Sequence, residues 1–203
     1  MTSGYIGYIQ GDFVENTSVI GGGAISMSGD SVIKSIQGTF RENSADTTGG
    51  GIYMEGTSSI YNLDADFIEN TSENHAAALS SKGTVYRFTG NVIGNTFGTA
   101  YASAFLVDAG GTINIATTNT KDVLFSDNHH TTDTSSNYYR DLRIYGGSDY
   151  NSTVNLNAGA GHSITFDGGI SGYGLQSQTV NMGVLNINKD ITYNVPNDDG
   201  ETY

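Results

Sequence analysis

The side chains with the means to do chemistry fall into two small groups. Asp64 and Asp66 stand two residues apart just before Phe67, on one face if the segment is a strand. Glycoside hydrolysis uses two carboxyl groups ~5 to 9.5 Å apart, a separation that alternate residues of a strand can provide. A solvated strand face beside a turn has the same composition, and no supporting Arg, Lys or His stands in a recognisable catalytic order, so no enzymatic activity is expected. The second group, Asp127-Asn128-His129-His130-Thr131-Thr132-Asp133, places two imidazoles and two carboxylates within seven residues, a donor set that divalent metals accept. Adjacent histidines of a strand point to opposite faces, so neither a metal nor any other cofactor is expected there. With no cysteine in the chain there is no disulfide framework and no thiolate metal site.

Binding is better represented than catalysis. The segment 129–141 reads as a loop insertion ending in Tyr138, Tyr139 and Arg140. Insertions of this kind emerge on one face of a repetitive scaffold, and Tyr with Arg is a pairing enriched in recognition hot spots. Drift in an unselected loop would produce the same residues. A further candidate is Asn95 to Tyr101, where Phe97 and Tyr101 add two aromatics away from any repeated position. Asn16-Thr17-Ser18, Asn70-Thr71-Ser72 and Asn151-Ser152-Thr153 match the glycosylation sequon but read more simply as turn residues.

What must position these residues is a repeat. Phe13, Phe40 and Phe67 are spaced by 27 residues, and each opens the pattern Phe-x-Glu-Asn, closing at Asn16, Asn43 and Asn70. Twelve residues after each Phe, tiny residues lead into an apolar one: Gly22-Gly23-Ala24-Ile25, Gly49-Gly50-Gly51-Ile52 and Ala76-Ala77-Ala78-Leu79. The register continues less cleanly, with Asn95 at 25 residues from Asn70, Val92 where Phe would stand, and Phe125 to Asn128 restoring the tetrapeptide. The short Val-, Ile-, Thr-, Tyr- and Phe-rich runs between turn residues are strands, and no segment has helical periodicity. A unit this small buries its apolar face only by stacking on copies of itself.

The fold class is therefore all-β: a right-handed parallel β-helix, or solenoid, of about seven coils of ~27 residues, ~35 Å long at the spacing of paired strands. Phe13, Phe40 and Phe67 would stack in its interior. The Asn residues would form a ladder of amides, taking the left-handed backbone of a turn. The tiny triplets would mark a tight corner.

The whole chain, 1–203, reads as a single domain with an acidic, frayed tail at 197–203. A formal charge of −13, from 8 basic and 21 acidic residues, repels phosphate backbones and anionic membranes, so nucleic acid is excluded as a partner. No apolar run approaches the ~18 residues of a membrane helix, so this segment is not expected to insert into a membrane. No polar cap stands before Tyr5, from which the chain is expected to be a fragment of a longer protein.

The alternation of Phe-x-x-Asn with Gly-Gly-Ala-Ile resembles the repeat of the chlamydial polymorphic outer membrane proteins and similar autotransporter passengers. It is carried by Phe13 to Asn16 with Gly22 to Ile25, by Phe40 to Asn43 with Gly49 to Ile52, and by weaker copies to Asn128. Ile164 to Ile170 is similar to a segment that such passengers carry after their repeats. The resemblance implies an adhesin-type protein displayed on the bacterial cell surface, held in the outer membrane by another part, and attaching to a host or bacterial surface protein or glycan. The alternatives are a carbohydrate-active β-helix, of the lyase, hydrolase or phage-tailspike kind, and a structural spacer. Gly161-His162 is similar to a dipeptide of pectin-degrading β-helices, but the companion Asn-Thr-Asp, paired-Asp and Arg-Ile-Lys elements do not accompany it in that order. The Thr residues recur at shifting offsets, without the regular array of an ice-binding face.

Overall fold

The structure, a computed structural model, describes residues 1–99, 103–132, 141–145 and 152–173, together with the strands Gln178–Val180, Val184–Ile187 and Thr192–Asn194. It is an all-β parallel solenoid, without helix among the described residues. Three walls run along it. The longest carries the strands Val32–Arg41 and Ser59–Ile68, which pair in parallel from Val32↔Ser59 to Arg41↔Ile68. The second is a narrow ladder of two-residue rungs, from Thr17–Ser18 through Ser44–Ala45, Thr71–Ser72 and Thr96–Phe97 to His129–His130. The third stacks Ile25–Met27, Ile52–Met54, Ala76–Ser81, Ser103–Val107, Leu142–Tyr145, Ile170–Tyr173 and Thr192–Asn194. About four turns keep close to 27 residues each, against the expectation of about seven coils. Later layers vary in length: Asn155 reaches back 41 residues to Asn114, whereas Ile164 pairs with Leu185 only 21 residues on.

The interior column forms as the repeat requires. The Phe13 and Phe40 rings stack at 4.6 Å and 6°, and Phe40 and Phe67 at 4.8 Å and 10°, the spacing of the strands that carry them. The column breaks at Val92, which pairs with Phe67 below and Phe125 above. Two other columns fill the space that Val92 leaves. Phe88 stands where the coil below has Leu63, and Phe105 where it has Leu79. Their rings meet at 4.9 Å and also reach Phe67 and Phe125, so the apolar volume of the rung is kept while its position moves. Phe125 and Phe166 then resume stacking at 4.7 Å.

The asparagine ladder is present, with one correction. The left-handed residue of each tetrapeptide is the one before the Asn: Glu15, Glu42, Glu69 and Asp127 have φ of 53 to 55°, and Gly94 takes that place with φ 67°. This residue, exposed in the four acidic copies, turns the chain so that the following Asn points inward, and Asn43, Asn70, Asn95 and Asn128 are buried. Each Asn Oδ1 accepts the backbone N–H and the Nδ2 amide of the Asn one coil earlier, at 2.8 to 3.1 Å. Each Nδ2 also donates to a carbonyl of the preceding coil, that of Phe13, Phe40, Phe67 or Val92. The ladder is thus hydrogen-bonded in both directions and built entirely from one residue type.

The tiny triplets make a corner in two coils only. Gly22 and Gly49 have φ of 66° and 64°, and a Cβ on Gly49 would stand 2.3 Å from the Ile52 carbonyl oxygen. In the third copy, Ala76, Ala77 and Ala78 are fully buried within the longer strand Ala76–Ser81, so the tight turn has become regular strand.

Candidate functional site

Side chains alternate across each strand of the third wall, and at its irregular rungs the outward set converges. Along Ser103–Val107 and Leu142–Tyr145, Phe105, Val107, Leu142 and Ile144 face the core. The pairing Leu106↔Arg143 and Val107↔Ile144 leaves Leu106 and Asp108 facing out from one turn and Arg143 and Tyr145 from the next. With His75 these four line a cleft of about 380 Å³. Leu106 is its nearly buried floor, Tyr145 is 42% exposed, and the Arg143 guanidinium carbon lies 5.9 Å from the Tyr145 ring centre. His75 is held at the corner by its backbone N–H, which donates to the Thr47 carbonyl at 3.1 Å.

The charges at the cleft are balanced. Lys82 Nζ lies 3.9 Å from both Glu55 and Asp108, so the Asp108 carboxylate has a cation beside it. Burial and the neighbouring Glu55 carboxylate push the Tyr53 hydroxyl upward in pKa on the same wall.

The asparagine ladder ends on an unexpected group. Asn128 Nδ2 donates to Asp141 Oδ1 at 2.8 Å, and the backbone N–H of Gly168 donates to Oδ2 at 2.5 Å. Asp141 is fully buried, and loss of solvent raises its carboxyl to about 6 against the opposing effect of these hydrogen bonds. It therefore belongs to the core, just before the strand that carries Arg143 and Tyr145. The bounds 129–141 for a loop insertion are corrected at both ends: His129–His130 is a rung of the second wall, paired Thr96↔His129, and Asp141 is interior.

Of the residues expected to bind, Phe97 is corrected. It is fully buried against Ala77, edge-on to His130 at 6.2 Å, because the second wall turns it inward. Tyr101, Tyr138, Tyr139 and Arg140 lie outside the described residues, as do Asn151 and the tail 197–203.

The residues weighed for chemistry have structural partners. Asp66 Oδ1 accepts the Asn91 backbone N–H at 2.7 Å, and Asp64 pairs with Lys121 at 3.0 Å. His129 and His130 face opposite ways, the first exposed and the second buried, with His130 Nδ1 accepting the Thr132 N–H at 3.1 Å. No group of three metal-ligating side chains occurs among the described residues. His162 contacts Asp122 at 3.0 Å, and the Ser163 backbone N–H, with His162, lowers the Asp122 carboxyl.

Sequence reasoning missed the cleft and Asp141. The alternation Leu142-Arg143-Ile144-Tyr145 was a readable strand signal, but nothing in it tells which earlier residues lie beside it. The long wall has its own surface feature: Lys34 Nζ sits 3.4 Å from the Tyr61 ring centre, and Tyr61 stacks on Tyr86 at 4.6 Å. Both faces of the Tyr61 ring are thus occupied from within the molecule.

No protein-family model, curated protein or solved structure matches this chain.

Proposed function

We propose that this chain is an adhesin-type β-solenoid of the kind autotransporter passengers display on the bacterial surface, and that it attaches to a host or bacterial surface ligand without catalysing a reaction on it. The observation that supports this reading is the cleft of His75, Leu106, Asp108, Arg143 and Tyr145, at the rungs where coil length departs from the repeat. A surface solenoid gains a binding site by varying the outward residues of a wall whose inward residues continue the core. Here Arg143 and Tyr145, residue types that dominate recognition surfaces, alternate with the core residues Leu142 and Ile144.

The test is attachment of the purified domain to cultured epithelial cells and to bacterial cells. Wild type is expected to attach, and Arg143→Ala with Tyr145→Ala is expected to weaken attachment at least tenfold at an unchanged melting temperature. Absence of attachment, or attachment indifferent to both changes, would refute the reading.

A further inference from the structure

The cleft also carries information on its ligand. Resting on the attachment reading above, we infer that it takes a single neutral hexopyranose ring of a glycan. A sugar hydroxyl donates one hydrogen bond and accepts up to two, so it is best satisfied between an acceptor and a donor side by side. Asp108, which only accepts when ionised, and Arg143, which only donates, both line the cleft from neighbouring turns, Arg143 opposite Leu106 and Asp108 two residues further along the same outward face. Tyr145, 42% exposed, and Leu106 supply the apolar surface against which the C–H face of a pyranose packs. His75 adds a third polar group at the corner. The volume of about 380 Å³ is at the small end of ligand pockets and has room for a pyranose ring.

Charge separates neutral from polyanionic glycans. At the cleft Asp108 and Glu55 are balanced by Lys82 and Arg143, which suits an uncharged ligand, while the chain as a whole carries −13, so a sulfated or uronate polymer would meet long-range repulsion that a neutral sugar does not.

Saturation-transfer NMR on the purified chain would be run with galactose, glucose, mannose, N-acetylglucosamine and N-acetylgalactosamine, and with a heparin fragment as the polyanion. At least one neutral sugar is expected to receive saturation, with at least tenfold weaker binding in Tyr145→Ala and Asp108→Asn and retention in Tyr145→Phe. If Tyr145→Ala lowers the melting temperature, Asp108→Asn carries the test. No binding by any neutral sugar, preference for the heparin fragment, or indifference to both variants would overturn the inference. The cell-attachment assay with the same variants separates the two readings: attachment lost in the cleft variants without sugar binding leaves an adhesin with a protein ligand, whereas attachment unchanged in them removes the cleft altogether.

Discussion

The coils up to Asn70 and those from Val92 onward bury aromatic rings in different ways. In the first region Phe13, Phe40 and Phe67 lie face to face in one column, each at the same place in its coil. In the second, Val92 vacates that place, and Phe88 and Phe105, from two other columns, meet at a tilt of 60°, with Phe105 edge-on to both Phe67 and Phe125. Each rung must be filled to close packing, but which wall supplies the volume is open to exchange. The asparagine ladder crosses both regions unchanged up to Asp141, because hydrogen-bond geometry tolerates no such exchange.

The sharpest way to break the comparison is at the regular column. Phe40→Ala should cost about 3–5 kcal/mol in chemical denaturation, since rings above and below are held at strand spacing and cannot collapse into the space. A wild-type transition would show that the column does not carry the stability of the first region.

Asp141 distinguishes the second region by pH. Its folded carboxyl titrates near 6 against an ordinary 3.8, so between these values the folded chain holds a proton that the unfolded chain has released. Stability from this group is full below about pH 4 and is lost as pH rises through 6, by about 3 kcal/mol. Stability measured from pH 4 to 7 in wild type and in Asp141→Asn isolates the effect, because other carboxylates cancel in the difference. The variant should lack the decline, and parallel curves would show that Asp141 is not desolvated.

Restoring the column tests the volume exchange directly. Val92→Phe should destabilise by about 1–3 kcal/mol, because Phe88 and Phe105 already occupy the space, and Phe88→Leu in the same chain should recover most of the loss. Additive effects of the two changes would argue against a shared cavity.

The ladder should give the smallest and most graded response. Asn70→Ala removes the acceptor of the buried Asn43 backbone N–H and one of the donors to Asn95 Oδ1 and to the Phe40 carbonyl, and should cost about 1–3 kcal/mol. Asn16→Ala, at an exposed end of the ladder, should cost under about 1 kcal/mol, and equal losses would contradict a ladder whose members differ only in burial.

Much of this fold was legible in the chain because a solenoid places equivalent residues in columns. A 27-residue interval between Phe residues already implies parallel strands, an interior stack and an amide ladder. The left-handed position was misplaced by one residue, since Asn is the better intrinsic former and only the backbone shows that Glu15, Glu42 and Glu69 take the turn. Phe97 was misread because its position off the Phe register was taken for exposure, although a second wall with its own inward face was already paired there.

By itself, then, the sequence determined the class of architecture, the identity of the interior columns and the absence of thiol chemistry, all of which depend on residue type at fixed spacing. Only the tertiary structure decided which side chains share the cleft and what becomes of Asp141. His75, Leu106, Asp108, Arg143 and Tyr145 come together through the pairing of coils whose lengths vary, and a variable length cannot be converted into a neighbour without knowing which strand it stacks upon. The shift of Asp141 likewise depends on the solvent that the surrounding coils exclude, a property of packing that no single position in the chain records.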